Sequence, residues 1–350
     1  MSGVLAHSGP MSDYFRPLVQ RGPARPPGAH ALAGGAHWFT HAERLRRGAA
    51  PEIVPADAMP ADWAQALTAA RAPVAGVDMN GPRLMGILNV TPDSFSDGGA
   101  HDGRDAAVAH GRAMAAAGAD LLDIGGESTR PGSDAVPAEA ERDRVVPVLE
   151  ALNGDTDMPP ISIDTRKAVV AEAAVAAGAT LVNDVAALTH DPALAAFCAQ
   201  AGLPVCLMHA QGDPKTMQDA PAYDDVLLGV YDWLAARVAA AEEAGIPRTG
   251  IVVDPGIGFG KTVAHNLALL RGAALFHGLG CPVLVGASRK GFIGVISGER
   301  DPARRAPGSI AVALAAAAEG VQILRIHDVA ETKAALRLWQ AVSEGQADGT

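Results

Sequence analysis

Polar residues capable of chemistry recur at one kind of position in this chain. Asn89, Asp123, Asp164, Asn183, His209, Asp254, Ser288 and His327 each stand at or just past the end of a short apolar, β-branched run, one per run. A single Asp or Asn there would be an ordinary turn or capping residue, but eight runs out of eight point to side chains converging on one site. Arg325 lies two residues before His327, so on a strand both side chains point to the same side and could bind an anion. A rim salt bridge for Arg325 and a capping role for His327 are the plainer readings. Arg289 and Lys290 directly follow Ser288. Lys290 could form a Schiff base with a carbonyl substrate or lie solvated. Two runs open into polar, glycine-bracketed loops, residues 89–99 and 125–133, in the manner of active-site loops. The chain has no GxSxG elbow and no Cys–His pair at matching strand ends, so electrostatic rather than nucleophilic catalysis is expected. The histidines are scattered along the chain and do not suggest zinc.

The elements that must position these residues follow from the apolar runs themselves, at 84–90, 120–125, 161–164, 181–185, 205–209, 251–254, 283–287 and 322–327. Most are nearly continuous rather than alternating, the pattern of parallel strands covered by helices. Alanine-rich helical stretches separate them, and five stop at a glycine suited to a left-handed cap: Gly118, Gly178, Gly202, Gly245 and Gly320. Eight such units over about 260 residues predict an α/β fold, a (β/α)8 TIM barrel. A doubly wound sheet is the runner-up, but it would place polar residues at only one or two switch points.

The first 80 residues depart from this grammar and are read as an N-terminal extension, residues 1–80, of unassigned role, ahead of a barrel over 81–345. Residues 17–27 are rich in Pro, Gly and Arg and read as irregular. A short helix is expected over 40–47, a strand over 52–55 and a helix over 61–70. The Asn80-Gly81 turn suggests that 75–79 pair with the start of the first barrel strand and plug the barrel floor.

Composition narrows the class. In 350 residues, 49% hydrophobic and 19% charged, there is ample material for a large core. The 39 glycines and 25 prolines exceed average usage without reaching low complexity. A formal charge of -11 lacks the footprint of a nucleic-acid binder. Three cysteines, Cys198, Cys206 and Cys281, lack CxxC spacing and read as small buried hydrophobes in a reducing compartment. The N-terminus reaches Arg16 and Arg21 without a signal-like apolar core, and the most apolar stretch, 310–318, stops at Glu319, short of the roughly 20 residues of a membrane span. A cytoplasmic protein without membrane or nucleic-acid partners is expected.

In order along the chain stand ILNVTPDSFSDGG, DIGGESTRPGS, IDT, ND, CLMHAQGDPKTMQ, DPGIGFGKT, GASRKGFIG and RIHDV. Over about residues 84–340 this series resembles the dihydropteroate synthase family. The resemblance implies a (β/α)8 barrel, usually a homodimer. Its reaction joins (7,8-dihydropterin-6-yl)methyl diphosphate to 4-aminobenzoate with Mg²⁺ assistance, yielding 7,8-dihydropteroate and diphosphate for tetrahydrofolate biosynthesis. It assigns Asp164, Asn183 and Asp254 to the pterin, with Lys290 on its carbonyl and ring nitrogen. Thr129 falls to the pterin diphosphate, Arg130, Pro131 and Ser288 to the aminobenzoate pocket, and Asn89 to Mg²⁺. Phe259 would supply an apolar wall, or be an ordinary packing aromatic.

The residues suit that reaction. A pterin presents a ring N–H beside an exocyclic NH2, a pair one carboxylate accepts together, and Asp254 is the choice for it. Arg130, Lys290, Arg325 and His327 form the catalytic set. Diphosphate would leave toward Mg²⁺, Arg325, His327 and Arg130, and the amine would attack the resulting pterin-methyl cation under closed loops. A related pterin-binding methyltransferase, serving a corrinoid partner, would not need GGESTRPGS and SRKGFIG. A non-catalytic pterin-binding paralogue would carry lesions in those loops. Ala186-Ala187 and Ala210 are small departures beside matched positions and bear on pocket shape. Positive charge is expected to gather locally on Arg130, Arg289, Lys290 and Arg325 despite the acidic whole.

Overall fold

The computed structural model describes residues 12–91, 100–128, 133, 135–212 and 217–345, with 100–102 described by backbone alone. The extension is ordered into β1 (Tyr14–Pro17), β2 (His30–Ala31), β3 (Trp38–Phe39), β4 (His41–Leu45), β5 (Glu52–Pro55) and α1 (Ala61–Thr68). β1, β4 and β5 form an antiparallel sheet with β4 in the middle. The strand at 52–55 and the helix near 61–70 are as expected, whereas the helix expected over 40–47 is the strand β4. Propensity there yields to pairing: β4 is bonded along both edges, Ala42 is fully buried between its neighbours, and Arg16 reaches across to Glu43 at 2.8 Å.

Eight strands then follow: β6 (Arg83–Asn89), β7 (Leu121–Gly125), β8 (Ile161–Asp164), β9 (Leu181–Asp184), β10 (Val205–Met208), β11 (Ile251–Asp254), β12 (Leu284–Val285) and β13 (Ile323–Ile326). They run parallel in the order β11-β10-β9-β8-β7-β6-β13-β12, and a parallel bridge from Val253 to Val283 joins the two ends. This is a (β/α)8 barrel rather than an open doubly wound sheet. Around it lie α2 (Ala100–Ala116), α3 (Ala138–Asn153), α4 (Ala168–Ala176), α5 (Pro192–Ala201), α6 (Val226–Glu243), α7 (Val263–Arg271), α8 (Gly291–Ser297), α9 (Ala306–Ala318) and α10 (Val329–Glu344). The five glycines expected to end helices all have φ between 64° and 111°. Among the described residues no helix is long and apolar enough to cross a membrane.

The barrel floor is an apolar layer of Met85, Leu121, Leu181, Cys206, Val252, Leu284 and Ile323, closed from below by Val74 and Met79. The hairpin that plugs it turns on itself, Val74 pairing with Val77, instead of pairing with β6. The rest of the extension shares the barrel's outer core. Trp63 stacks on Tyr231 of α6 at 5.6 Å and meets Phe15 edge-on at 5.5 Å. A Cβ on Gly278 would fall 2.2 Å from the Trp63 ring, so the indole lies on bare backbone. Tyr14 donates to Asp232 at 2.9 Å, and the same carboxylate takes Arg47 at 2.6 Å. Truncating Trp63→Ala is therefore expected to cost about 3–5 kcal/mol of stability, by urea unfolding of the intact chain. An unchanged midpoint would show that the extension does not share the barrel's core.

Candidate active site

Alternation along the strands sorts the barrel interior by height. Two residues beyond the apolar floor positions Leu121, Leu181, Val252 and Ile323, the inward side chains become Asp123, Asn183, Asp254 and Arg325. Asn89, Gly125, Asp164 and Asn183 are level across β6 to β9. The polar strand ends thus share one face, as the chain's pattern predicts.

Arg325 is the hub. Its Nε donates to Asp123 Oδ2 at 2.5 Å and its Nη2 to Asp164 Oδ2 at 2.7 Å. Asn183 Nδ2 donates to the same Asp123 oxygen at 2.9 Å. Asp123 is fully buried, and its Oδ1 has no partner among the described residues. Burial opposes the Arg325 charge, yet Asp123 and Asp164 outweigh it and hold the guanidinium above its usual pKa. Two carboxylates share that one cation, so Asp164 is pushed up to about 7 by burial and by Asp123, against the pull of Arg325.

Across the barrel, Asp254 Oδ1 accepts from the Gly256 amide at 2.7 Å, and burial raises its carboxyl while Lys290 opposes the rise. Gly256 turns at φ 67°, and a Cβ there would come 1.8 Å from the His209 carbonyl oxygen, so this turn admits only glycine. The Lys290 ammonium donates to the Ile257 carbonyl and lies 4.1 Å from the Phe259 ring centroid. Phe259 is thereby a cation–π platform for Lys290. Burial brings Lys290 down to about 7, Asp254 resisting. Half-buried and held on this platform, the amine is not a freely solvated surface lysine.

Ser288 and His327 pair, His327 Nδ1 lying 3.0 Å from Ser288 Oγ, which also accepts from the His327 amide at 3.2 Å. Arg325 and His327, expected to share an anion, therefore engage different partners within the protein. Arg289 is not a free cation: both its Nε and Nη2 bond the Asp328 carboxylate, from a backbone at φ 58°. Asn89 ends β6, half-buried. Thr129, Arg130 and Pro131 lie outside the described residues.

With this geometry in hand, the sequence matches the pterin binding enzyme family over residues 85–327, and the chain belongs to that family. Dihydropteroate synthase of Escherichia coli strain K12 is 48% identical over 265 residues, covering 76% of this chain and 93% of its own length. A Xanthomonas albilineans dihydropteroate synthase structure with 4-aminobenzoic acid aligns at TM-score 0.73 and 51% identity, covering 78% of this chain and 97% of that one. A second structure of that enzyme, with 7,8-dihydropteroate, aligns at 0.71 and 48% identity, covering 78% and 98%. Within the pterin-binding family the chain belongs to the dihydropteroate synthases.

Two residues of the site escaped assignment from sequence. Asp123 was legible as a strand-end acid, but nothing in its neighbourhood announced that it anchors Arg325. Lys261, inside DPGIGFGKT, is 3% exposed, and its Nζ lies 2.9 Å from His209 Nδ1 and donates to the Phe259 carbonyl at 2.9 Å. Burial lowers it to about 7, and burial with the nearby Lys261 charge lowers His209 to about 3, so a neutral imidazole accepts from the amine. His209 thus props Lys261 under the Phe259 turn. Because the folded pKa of Lys261 lies below that of the unfolded chain, the unfolded state holds more protons above about pH 7, and stability rises with pH there. Lys261→Met should remove up to about 1.4 kcal/mol per pH unit from that rise between about pH 8 and 10, read by urea unfolding. An identical slope in the variant would rule out a buried, deprotonating Lys261.

Proposed function

We propose that the strand-end site binds (7,8-dihydropterin-6-yl)methyl diphosphate and joins it to 4-aminobenzoate, producing 7,8-dihydropteroate and diphosphate, a transferase step of folate biosynthesis. The observation that carries the reading is the convergence of the buried Asp164, Asn183 and Asp254 with the half-buried Lys290 on one barrel face. Asp254 would accept the N–H and NH2 of the pterin edge as a bidentate pair. Lys290 would donate to the ring carbonyl, and a desolvated amine gains more from such an acceptor than a hydrated one. Asn183 and Asp164 would meet the remaining donors and acceptors. The crystallised relatives with 4-aminobenzoic acid and with 7,8-dihydropteroate support the amine substrate and the product.

The bond from the methylene carbon to the diphosphate oxygen breaks first, its electron pair leaving with diphosphate and the positive charge spreading into the pterin. The 4-aminobenzoate nitrogen then forms the C–N bond and releases its proton to water or to diphosphate. Arg325 spends Nε and one Nη2 donor on the two aspartates, which leaves its Nη1 edge for the departing group. Arg130 and His327 join it there, and Ser288 and Phe259 border the aminobenzoate. Among the described residues no cluster of three His, Cys, Asp or Glu forms a metal cage. The amide oxygen of Asn89 suits Mg²⁺, which would take its other ligands from diphosphate and water and neutralise charge on the leaving group.

A homodimer would cover Val295 and Ile296 of α8, which stand 72% and 59% exposed. The three buried free thiols fit a reducing, cytoplasmic setting. We assign catalysis to residues 81–345 and support of the barrel to residues 1–80.

The assay supplies both substrates and Mg²⁺ and follows diphosphate release together with dihydropteroate. Release no greater than from heat-killed protein would overturn the reading. Asp254→Asn should weaken dihydropterin binding by about 1.5–3 kcal/mol, roughly 10–150-fold, measured by calorimetry. Lys290→Ala should weaken it as well. Arg325→Ala should act on turnover, and wild-type rates in that variant would remove it from the diphosphate step.

A further inference from the structure

At the opposite end of the barrel from the polar strand ends, a cavity of about 480 Å³ opens between the extension, the start of β6 and the end of α10. That volume suits a small molecule. Its walls are basic and aromatic: Arg21, Arg25 and His37 come from the extension, Arg83 from β6, and Trp339 from α10. Glu344 is the single acidic side chain among the described lining residues.

The arginines are not equivalent. Arg83 is neutralised by Asp78. Arg25 donates to the Ala36 carbonyl at 2.6 Å, and Arg21 lies over the Trp339 ring at 5.2 Å. Among the described residues neither Arg21 nor Arg25 has an ion-pair partner. Glu319 feels Arg21 through space, but its carboxylate is bridged to Arg16 at 3.6 Å. Among the described residues, the two exposed guanidinium groups of Arg21 and Arg25 therefore border the cavity without an ion pair. His37, its ring 6.1 Å from that of Trp339, registers them: burial first, then Arg21 and Arg25, hold its imidazole down at about 4. At neutral pH it is an uncharged hydrogen-bonding group beside an indole.

We propose that this cavity is a second binding site, for a small planar aromatic ligand carrying a dianionic group. Guanidinium groups match phosphate and carboxylate oxygens in bidentate geometry, and two unpaired ones call for two negative charges. The Trp339 and His37 rings supply a stacking wall for the planar part. An occupant would touch the extension, β6 and α10 together, and so clamp the extension to the barrel.

The chemistry fits a phosphate ester or an aromatic dicarboxylate, and calorimetric titration of the full-length protein separates them. The probes are adenosine 5′-monophosphate, isophthalate and inorganic phosphate. One aromatic dianion is expected to bind one-to-one, at least ten-fold more tightly than inorganic phosphate, and to raise the melting temperature. The Arg21→Ala/Arg25→Ala double variant should weaken it ten-fold or more, Arg21→Lys should fall between, and Trp339→Ala should erase the advantage over phosphate. Asp254→Ala should leave this binding unchanged, since that residue lies at the other end of the barrel. Should the double variant fail to fold, Arg21→Lys and Trp339→Ala still decide the matter. Absence of saturable binding by both aromatic dianions, binding unaltered by the arginine substitutions, or binding lost in Asp254→Ala would each overturn the proposal.

Discussion

One guanidinium must satisfy two carboxylates inside the barrel. Arg325, between Asp123 and Asp164, answers a problem of burial: an acid with no exposed surface can stay charged only with a cation in contact. Much of the site's architecture accommodates this contact. Gly125 presents no side chain where a Cβ would stand only 3.3 Å from Asp164. Burial, with Asp123 beside it, pushes the Asp164 carboxyl up to about 7 against the pull of Arg325, and a ligand donor can make up the deficit. Asp254 and Lys290 repeat the arrangement across the barrel, each opposing the other's loss of charge.

Such a cluster needs a rigid base. The apolar floor excludes water from below, and the Val74–Met79 segment closes it. The extension is packed against the outside of the barrel in turn. Arg71, buried there, donates to the carbonyls of Ala66, Ala69 and His277 and so ties α1 to the segment leading to β12. The remaining surface of the extension meets α10 and β6 around a basic cavity, which places a second ligand-sized space far from the strand ends.

How far the chain could be read in advance follows from the range of the interactions involved. The strands at 161–164 and 251–254 were legible residue for residue, since an apolar run ending in Asp before a turn needs no distant partner. The last-but-one strand was read too long. Only Leu284 and Val285 stay in the ladder, because the chain leaves the sheet to set Ser288 opposite His327 and to carry Arg289 through a left-handed conformation toward Asp328. Residues 41–45 failed for a related reason: the partners that make them a strand lie in segments before and after them. Arg289 reads as a free cation from its neighbours, because its partner Asp328 lies 39 positions away. Lys261 showed nothing in sequence that distinguishes a buried amine from a solvated one.

Period and spacing alone carry the barrel, the glycine-capped helices, the one-per-strand polar ends and the family to which the chain belongs, because each is written in residues near one another along the backbone. Which acid holds Arg325, that Lys261 loses its water, how the extension seals the floor and where arginines border the cavity below it are settled by packing. Those outcomes depend on desolvation and on contacts between segments as distant as Asp123 and Arg325, 202 positions apart, and only the folded chain brings such groups within reach.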